Sequence, residues 1–394
     1  MNVLDSIAVD HVGVDPRTIV LCSGDIGSIP ADIDLQYLAI ACTPGEYAPE
    51  DNPVVAELDA LGIQVAAVQK NFLQHDFRPC MPCWSSRRFT LASAHFRHLL
   101  VWEPQWLERS GNSTRLSDVH YAFQALNRLH GYAGGGTAMF LLWPGINEDT
   151  AQDMLRMQFF SAVALAGRSA WSTLYLMVPP ETASMAAAWF AVLAEQYRDP
   201  IAAFLEDRAN LPGKDSLLLG QGKKAADNDG QLTERQFQAI YAYTNYSYAG
   251  LRRALRRDDP RHPDFVKAQA LMEATSTALS RLTNYAGDRL IRAFDLPEYP
   301  NGYYRDGYET RELAYCSTSL IQLPYGDWYL HLFTTLGKDI ARYSMYPTEY
   351  EVLHDFAMTC VATHIEAHDD ASSEGHVLAH ERMPAHVGLR DTHL

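Results

Sequence analysis

Gly337-Lys338-Asp339-Ile340-Ala341-Arg342-Tyr343-Ser344-Met345-Tyr346-Pro347-Thr348-Glu349-Tyr350-Glu351-Val352-Leu353 is the stretch on which the reading of this chain turns. Tyr346-Pro347-Thr348 favours a turn, and Val352-Leu353 favours a strand. Glu349 and Glu351 stand at i and i+2 across that boundary. On a strand, i and i+2 share a face, so the pattern predicts two carboxylates side by side at the start of a strand. Two acids in different environments on one rigid edge suit acid–base or cation-stabilising chemistry.

Two further segments carry chemistry-bearing residues toward that edge. Asp288-Arg289-Leu290-Ile291-Arg292-Ala293-Phe294 reads as a strand with Arg292 near its end. Tyr315-Cys316-Ser317-Thr318-Ser319 reads as an aromatic-led strand closing in three small hydroxyl residues. Upstream, Thr233-Glu234-Arg235-Gln236 makes a helix N-cap and first turn. A helix carrying Phe237, Ile240 and Tyr241 follows. It is interrupted at 243–248, resumes over Leu251 to Arg257, and is joined by a third helix over Pro263 to Arg281. Helices followed by short strands predict an α+β domain. Val377 to Met383 alternates like its last strand.

The segment before this domain is different. Leu211 to Gln231 is polar and glycine-rich, which predicts a linker. Strands are expected at Thr18–Leu21, Leu38–Ala41, Ile63–Val68, Phe96–Trp102, Ala138–Trp143 and Leu174–Val178. Helices are expected at Asn52–Leu61, Val119–His130, Thr150–Gly167 and Ala183–Arg198. Alternation of this kind predicts an α/β layered domain. The expected organisation is therefore an α/β domain over 1–210, a linker over 211–231 and an α+β domain over 232–394. Such a division suits the 394-residue length.

Composition narrows the function classes. Hydrophobic residues make up 47% of the chain and charged residues 20%, the balance of a folded soluble protein. The formal net charge of −16 argues against general affinity for nucleic acid or anionic membrane. No apolar run reaches the roughly 18 residues of a membrane-spanning helix. The first residues, Met1-Asn2-Val3-Leu4-Asp5, lack the basic and apolar regions of a signal peptide. The expected location is thus cytoplasmic, or outside the cell by a route that needs no signal peptide.

The six cysteines are scattered and do not suggest a disulfide scaffold. Cys80-Met81-Pro82-Cys83 has the spacing of half a zinc site or a redox pair, but no second pair accompanies it, so two reduced thiols near a turn is preferred. The histidines at 364, 368, 376, 380, 386 and 393 have no tetrahedral spacing. No metal site is expected.

A lone Glu-x-Glu or Ser-Thr-Ser is common on exposed strands. The order Arg292, then Ser317-Thr318-Ser319, then Glu349-Tyr350-Glu351 is not. Residues 230–385 resemble the mono-ADP-ribosyltransferases of the Arg-Ser-Glu class. Tyr243-Thr244 with Ser247-Tyr248 and Leu255-Arg256, Tyr285-Ala286-Gly287 and Gly337-Lys338-Asp339-Ile340 extend the likeness. Arg252 stands where such proteins often have Asn, a position read as one of helix packing.

The resemblance implies NAD as co-substrate and an unknown protein as acceptor. It implies that Glu351 stabilises the cation left when nicotinamide departs, and that Glu349 orients and deprotonates the acceptor. Ser317 would hold Glu351, Arg292 would clamp the NAD pyrophosphate, and Thr318 and Ser319 would support the nicotinamide-ribose pocket. Tyr346 would face the target. Glu at both positions of the pair favours arginine as the acceptor residue. Arg289 is the main rival to Arg292, since alternation lets only one of them face the site, and Arg305 is a weaker one. NAD glycohydrolysis, or binding of NAD or ADP-ribose without catalysis, are the alternatives. Such chains look like bacterial effectors or toxins.

The N-terminal part more weakly resembles the macro domain group, a three-layer α/β sandwich that binds ADP-ribose. Ser23-Gly24-Asp25-Ile26 resembles that group's adenine-side segment. Ala138–Trp143 with Pro144-Gly145-Ile146-Asn147 resembles its second phosphate loop. ADP-ribose is the ligand this implies for the first domain.

Overall fold

A computed structural model describes residues 1–9, 16–50, 52–78, 82–89, 95–103, 116–133, 136–141, 148–166, 171–198, 231–244, 248–256, 259, 261–287, 289–294, 304, 307, 309–312, 314–321, 328–334, 336–356, 358–366 and 375–381. The chain divides into two compact units. One holds Met1–Asp199 with Asp259–Arg261 and His386–Leu394; the other holds Pro200–Asp258 with His262–Ala385. Apart from Gln231, the expected linker lies outside the described residues, as do Cys80, Arg305, Pro144–Asn147 and the histidines at 368, 386 and 393.

The first unit is built on one eight-stranded sheet. Its strands are β1 (Asn2–Val9), β2 (Arg17–Ser23), β3 (Leu35–Ala41), β4 (Leu73–Asp76), β5 (Cys83–Ser86), β6 (Phe96–Trp102), β7 (Gly136–Leu141) and β8 (Trp171–Val178). Their order is β1-β2-β8-β7-β3-β6-β5-β4. The five inner strands, β2 to β6 in that order, run parallel, and the flanking ones pair antiparallel. Parallel neighbours need crossovers, and helices supply them. These are α1 (Pro53–Ala60), α2 (Val65–Asn71), α3 (Leu116–Ala133) and α4 (Glu148–Ala166), with α5 (Ala183–Arg198) after β8.

Both sheet faces are covered. Cys22, Leu38, Ile40, Leu99, Val101 and Met177 pack with Val54, Val55 and Leu58 of α1 and Val65 and Val68 of α2. The alternate residues Ile19, Leu21, Ala39, Leu100, Leu174 and Leu176 are equally buried on the other face, where α5 meets β1 and β2, and α4 meets β8. The first unit is thus three-layered.

One expected strand is a helix instead. Ile63–Val68 was read as extended, but Gly62 (φ 84°) ends α1 and Ile63 bonds back to the Leu58 carbonyl at 2.8 Å. Val65 and Val68 then bury at i and i+3 in α2. A six-residue apolar run does not separate the two periods, and the helix stop before it decides the matter.

The second unit carries α6 (Glu234–Ala242), α7 (Tyr248–Arg256) and α8 (Pro263–Arg281) ahead of its strands. The expected N-cap is present as a reciprocal capping box between Thr233 and Gln236. The strands are β9 (Arg289–Phe294), β10 (Glu309–Glu312), β11 (Cys316–Ser319), β12 (Trp328–Phe333), β13 (Lys338–Asp339), β14 (Glu351–His354), β15 (Met358–Glu366) and β16 (Gly375–Glu381). Their order, β10-β15-β16-β12-β9-β11-β14-β13, puts β9, β11 and β14 side by side.

α8 is fastened to the sheet by a buried polar network. Ser276 Oγ donates to Asp355 Oδ1 at 2.8 Å and lies 2.8 Å from the Tyr315 hydroxyl, which donates to the Met272 carbonyl. One turn away, Glu273 is 1% exposed and accepts a side-chain hydrogen bond from Gln269 at 2.8 Å. Burial raises its pKa from 4.5 to about 8, with the Gln269 bond opposing. An acid raised in the folded state favours folding below its unfolded pKa and loses that advantage as pH climbs through the folded value. Glu273→Gln should therefore leave the melting temperature near wild type at pH 5 and raise it progressively toward pH 8.5. A pH series of thermal melts checks this.

Candidate active site

The geometry is set by the ladder between β11 and β14. Cys316 pairs with His354, Ser317 with Leu353, Thr318 with Val352 and Ser319 with Glu351. β13 flanks β14 on its other side through Lys338↔Leu353 and Asp339↔Val352. Gly337 is required there. A Cβ on it would meet the His354 ring at 2.6 Å and Val352 Cγ1 at 2.7 Å, both in buried side chains. Lys338, also buried, donates to the Leu282 carbonyl at 2.6 Å and to Asn284. The start of the opening stretch is thus locked to the end of α8.

Glu351 heads β14 and is 7% exposed. Ser317 Oγ donates to its Oε1 at 2.6 Å. Burial pushes the Glu351 pKa from 4.5 to about 7. The Ser317 bond and the charge of Arg252 pull it down, while Glu349 pushes it further up. A rise of that size corresponds to about 3 kcal/mol against the charged form, so desolvation outweighs the hydrogen bond and the cation together.

The expectation that Glu349 and Glu351 share a strand face does not hold. Pro347–Glu349 forms a turn of 3-10 helix, and Tyr350 follows at φ 48° and ψ 49°. The left-handed residue breaks the alternation that would align the two acids. They remain electrostatic neighbours, since Glu349 acts on the Glu351 titration, but they are held by different parts of the chain.

The other expected site residues fall into two groups. Ser317 touches Glu351 directly. Arg292, 5% exposed, donates to Cys316 Sγ at 3.1 Å and pairs with Glu312 at 3.5 Å. Glu312 is itself held by the Tyr304 hydroxyl. Cys316 and Ser317 are consecutive on β11, so their side chains leave opposite sides of it. Arg292 is bonded on the Cys316 side and Glu351 on the Ser317 side. Arg289 is exposed.

Thr318 donates to the Val352 carbonyl at 2.7 Å and is 3% exposed. Ser319 donates to the Glu349 carbonyl at 2.6 Å and is 2% exposed. Both hydroxyls fasten β11 to β14 and to the turn ahead of it. Within 343–348, Tyr343 and Ser344 are buried, whereas Tyr346, Pro347 and Thr348 are exposed. Tyr343 packs edge-on against Phe237 at 6.3 Å, and Met345 N–H bonds Thr244 Oγ1 at 2.9 Å.

Arg252 and Tyr243 were underweighted by sequence reasoning. Arg252 sits on α7 and its charge reaches Glu351, Tyr243 and Cys316. Tyr243 is fully buried, and burial, then the Glu351 charge, raise its pKa, with Arg252 and Arg292 opposing. It therefore senses both the Arg292 and the Glu351 sides of the site. The signal for Arg252 was its departure from Asn in a segment otherwise like the transferases. In the first unit, Asp25 caps the short turn Ile26–Ser28 through Ser28 N–H at 2.7 Å, and Ile26 N–H bonds Glu57 at 2.8 Å.

No protein-family model matches the chain. A Mycobacterium avium (strain 104) protein described as a putative NAD(+)–arginine ADP-ribosyltransferase is 32% identical over 128 residues. The match covers 31% of this chain and 15% of that protein. Among solved structures, the ADP-ribosyltransferase HopU1 of Pseudomonas syringae pv. tomato DC3000 aligns at 17% identity over 41% of this chain and 82% of its own, with a TM-score of 0.35. The type III effector XopAI of Xanthomonas axonopodis pv. citri, lacking 70 N-terminal residues, aligns at 14% over 68% and 98%, with a TM-score of 0.36. Over those 128 residues the chain is distantly similar to a protein described as an ADP-ribosyltransferase, and it spans 15% of that protein's length.

Replacing Arg252 by Leu removes a cation that favours ionised Glu351, so the Glu351 pKa should rise above its wild-type value. Glu349→Gln should lower it. Carboxyl-carbon NMR titration of Glu351 in each variant measures both shifts.

Proposed function

We propose that this chain is an NAD-dependent mono-ADP-ribosyltransferase whose acceptor is arginine on a protein target. The observation that carries the reading is the Ser317–Glu351 hydrogen bond on adjacent strands, with Glu351 buried and Glu349 beside it. In the reaction, the bond between ribose C1′ and nicotinamide breaks and nicotinamide leaves with the electron pair. The cationic ribose is stabilised by the Glu351 carboxylate, which Ser317 aims. The acceptor guanidinium has a pKa above about 12 and must lose a proton to attack. Glu349 takes that proton as the new C1′–N bond forms. NAD supplies the ADP-ribose, so no metal enters the scheme.

Arg292 would clamp the pyrophosphate, where a forked guanidinium suits phosphate oxygens. In this conformation it is bonded to Cys316 and paired with Glu312 on the opposite side of β11 from Glu351, so clamping requires it to leave both partners and turn toward the Glu351 side. Arg252 adds positive charge toward Glu351. Tyr346 and Tyr350, 44% and 50% exposed, would meet the target. A bacterial effector or toxin role accords with this scheme. Among the described residues no helix is long and apolar enough to cross a membrane.

The first unit would be a macro-like module that recognises ADP-ribose or a partner, spanning roughly 1–210 ahead of a linker over 211–231. Its three layers support the architecture. Its adenine-side groups are engaged elsewhere: the Asp25 carboxylate caps Ser28 and the Ile26 amide bonds Glu57. That favours a partner over ADP-ribose.

Incubation with labelled NAD and a cell lysate tests the enzyme reading. Glu351→Ala should lose transfer and nicotinamide release alike, by on the order of 100-fold or more. Glu349→Ala should lose transfer while keeping nicotinamide release. Wild-type kcat/KM for NAD should increase as pH rises through about 7, because Glu351 acts ionised. Undiminished labelling by Glu351→Ala would sink the assignment, and label on serine, threonine or RNA would remove only the arginine claim.

A further inference from the structure

The two acids have separate anchors. Glu351 is held by the β14 ladder and by Ser317 Oγ. Glu349 lies outside that ladder. Its carbonyl accepts the buried Ser319 hydroxyl at 2.6 Å, and the same oxygen, Ser319 Oγ, accepts Ile321 N–H at 3.1 Å. Leu320 N–H reaches the Tyr350 carbonyl at 3.3 Å, and Tyr350 N–H reaches Pro347 at 3.3 Å.

Between the acids, Tyr350 is the one non-glycine residue with positive φ among the described residues. A tyrosine side chain disfavours that region, so the backbone stays there only where its neighbours over-determine it. Tyr350 is 50% exposed, so side-chain packing does little of this. The hydrogen bonds around it must do it, and Ser319 supplies one of these from a side chain. Ser319 is also paired with Glu351 across the ladder, so a single buried residue references the position of Glu349 to that of Glu351.

We propose that Ser319 is a positioning residue that sets the acceptor-side carboxylate, and so decides how ADP-ribose divides between arginine and water. This rests on the transferase reading above. Ser317 aims Glu351 and governs bond cleavage; Ser319 clamps the turn that presents Glu349 and governs capture of the cation. Without the clamp, Tyr350 relaxes toward negative φ and Glu349 swings from its place. Nicotinamide still departs, but water then takes the ribose.

The test measures ADP-ribosylation of agmatine, a small guanidine acceptor, against nicotinamide release in the same sample. Ser319→Ala removes one short hydrogen bond. The transfer-to-hydrolysis ratio should fall about tenfold. Ser319→Thr keeps the hydroxyl and should restore most of the ratio. Ser317→Ala should instead lower both activities together. A parallel loss of both in Ser319→Ala, or an unchanged ratio, overturns the proposal.

Hydrogen–deuterium exchange supplies a readout free of activity. In Ser319→Ala, amides at 346–350 should exchange faster while those of 351–354 stay protected. If wild type neither transfers nor releases nicotinamide, the enzyme reading fails and this exchange pattern alone judges the clamp. Unchanged exchange at 346–350 rejects the clamp whatever the activities show.

Discussion

Everything in the second unit that bears on chemistry depends on β11 lying between β9 and β14. Four consecutive residue pairs, Cys316↔His354 to Ser319↔Glu351, fix the register of β11 against β14. A slip of one residue would turn Ser317 away from Glu351 and carry every side chain of the strand to the wrong face. The slip is opposed by groups that fit only this alignment: Thr318 on the Val352 carbonyl, Ser319 on the Glu349 carbonyl and Gly337 pressed against His354. Thr318 and Ser319 are thus register pins, and Ser317 touches the acid.

The electrostatics of the site follow from burial more than from pairing. Glu351 has a short bond from Ser317 and a cation in reach, yet its pKa is still raised, because desolvation outweighs both. The same burial works on His354, whose pKa falls from 6.5 to about 3 as desolvation and then Arg292 disfavour its charged form. Arg292 is paired with buried Glu312 at 3.5 Å. The second unit therefore divides its charges between the two sides of β11, the Glu312–Arg292 pair on one and Glu351 on the other, with Tyr243 in the field of both.

Much of the framework was legible because local signals agreed. Ala183–Arg198 and Pro263–Arg281 carry their own starts and stops, and the structure has them at those bounds. Ser317 beside Glu351 was implied by the resemblance to the transferases, and the two are hydrogen-bonded in the structure. Ile63–Val68 was misread because a short apolar run satisfies two periods at once. β1 and β4 escape a sequence reading because their residues are largely polar or half-exposed, and β5, though fully buried, is only four residues long, too short to carry a period. Helical position says nothing about which charges a side chain meets, so Arg252 reads from sequence as a packing residue.

The amino-acid sequence determined which residue types are present: a serine-threonine-serine strand, two glutamates two positions apart, an arginine near the end of a strand and helices ahead of short strands. Those are matters of composition, spacing and local propensity. The tertiary structure decided how they face one another. It put Tyr350 in a left-handed turn that parts the glutamates, bonded Arg292 on the far side of β11 from Glu351, and bonded the Ser319 hydroxyl to the Glu349 carbonyl. Each of those outcomes depends on strand register and long-range hydrogen bonds, formed between residues 20 to 34 positions apart, which no local pattern encodes.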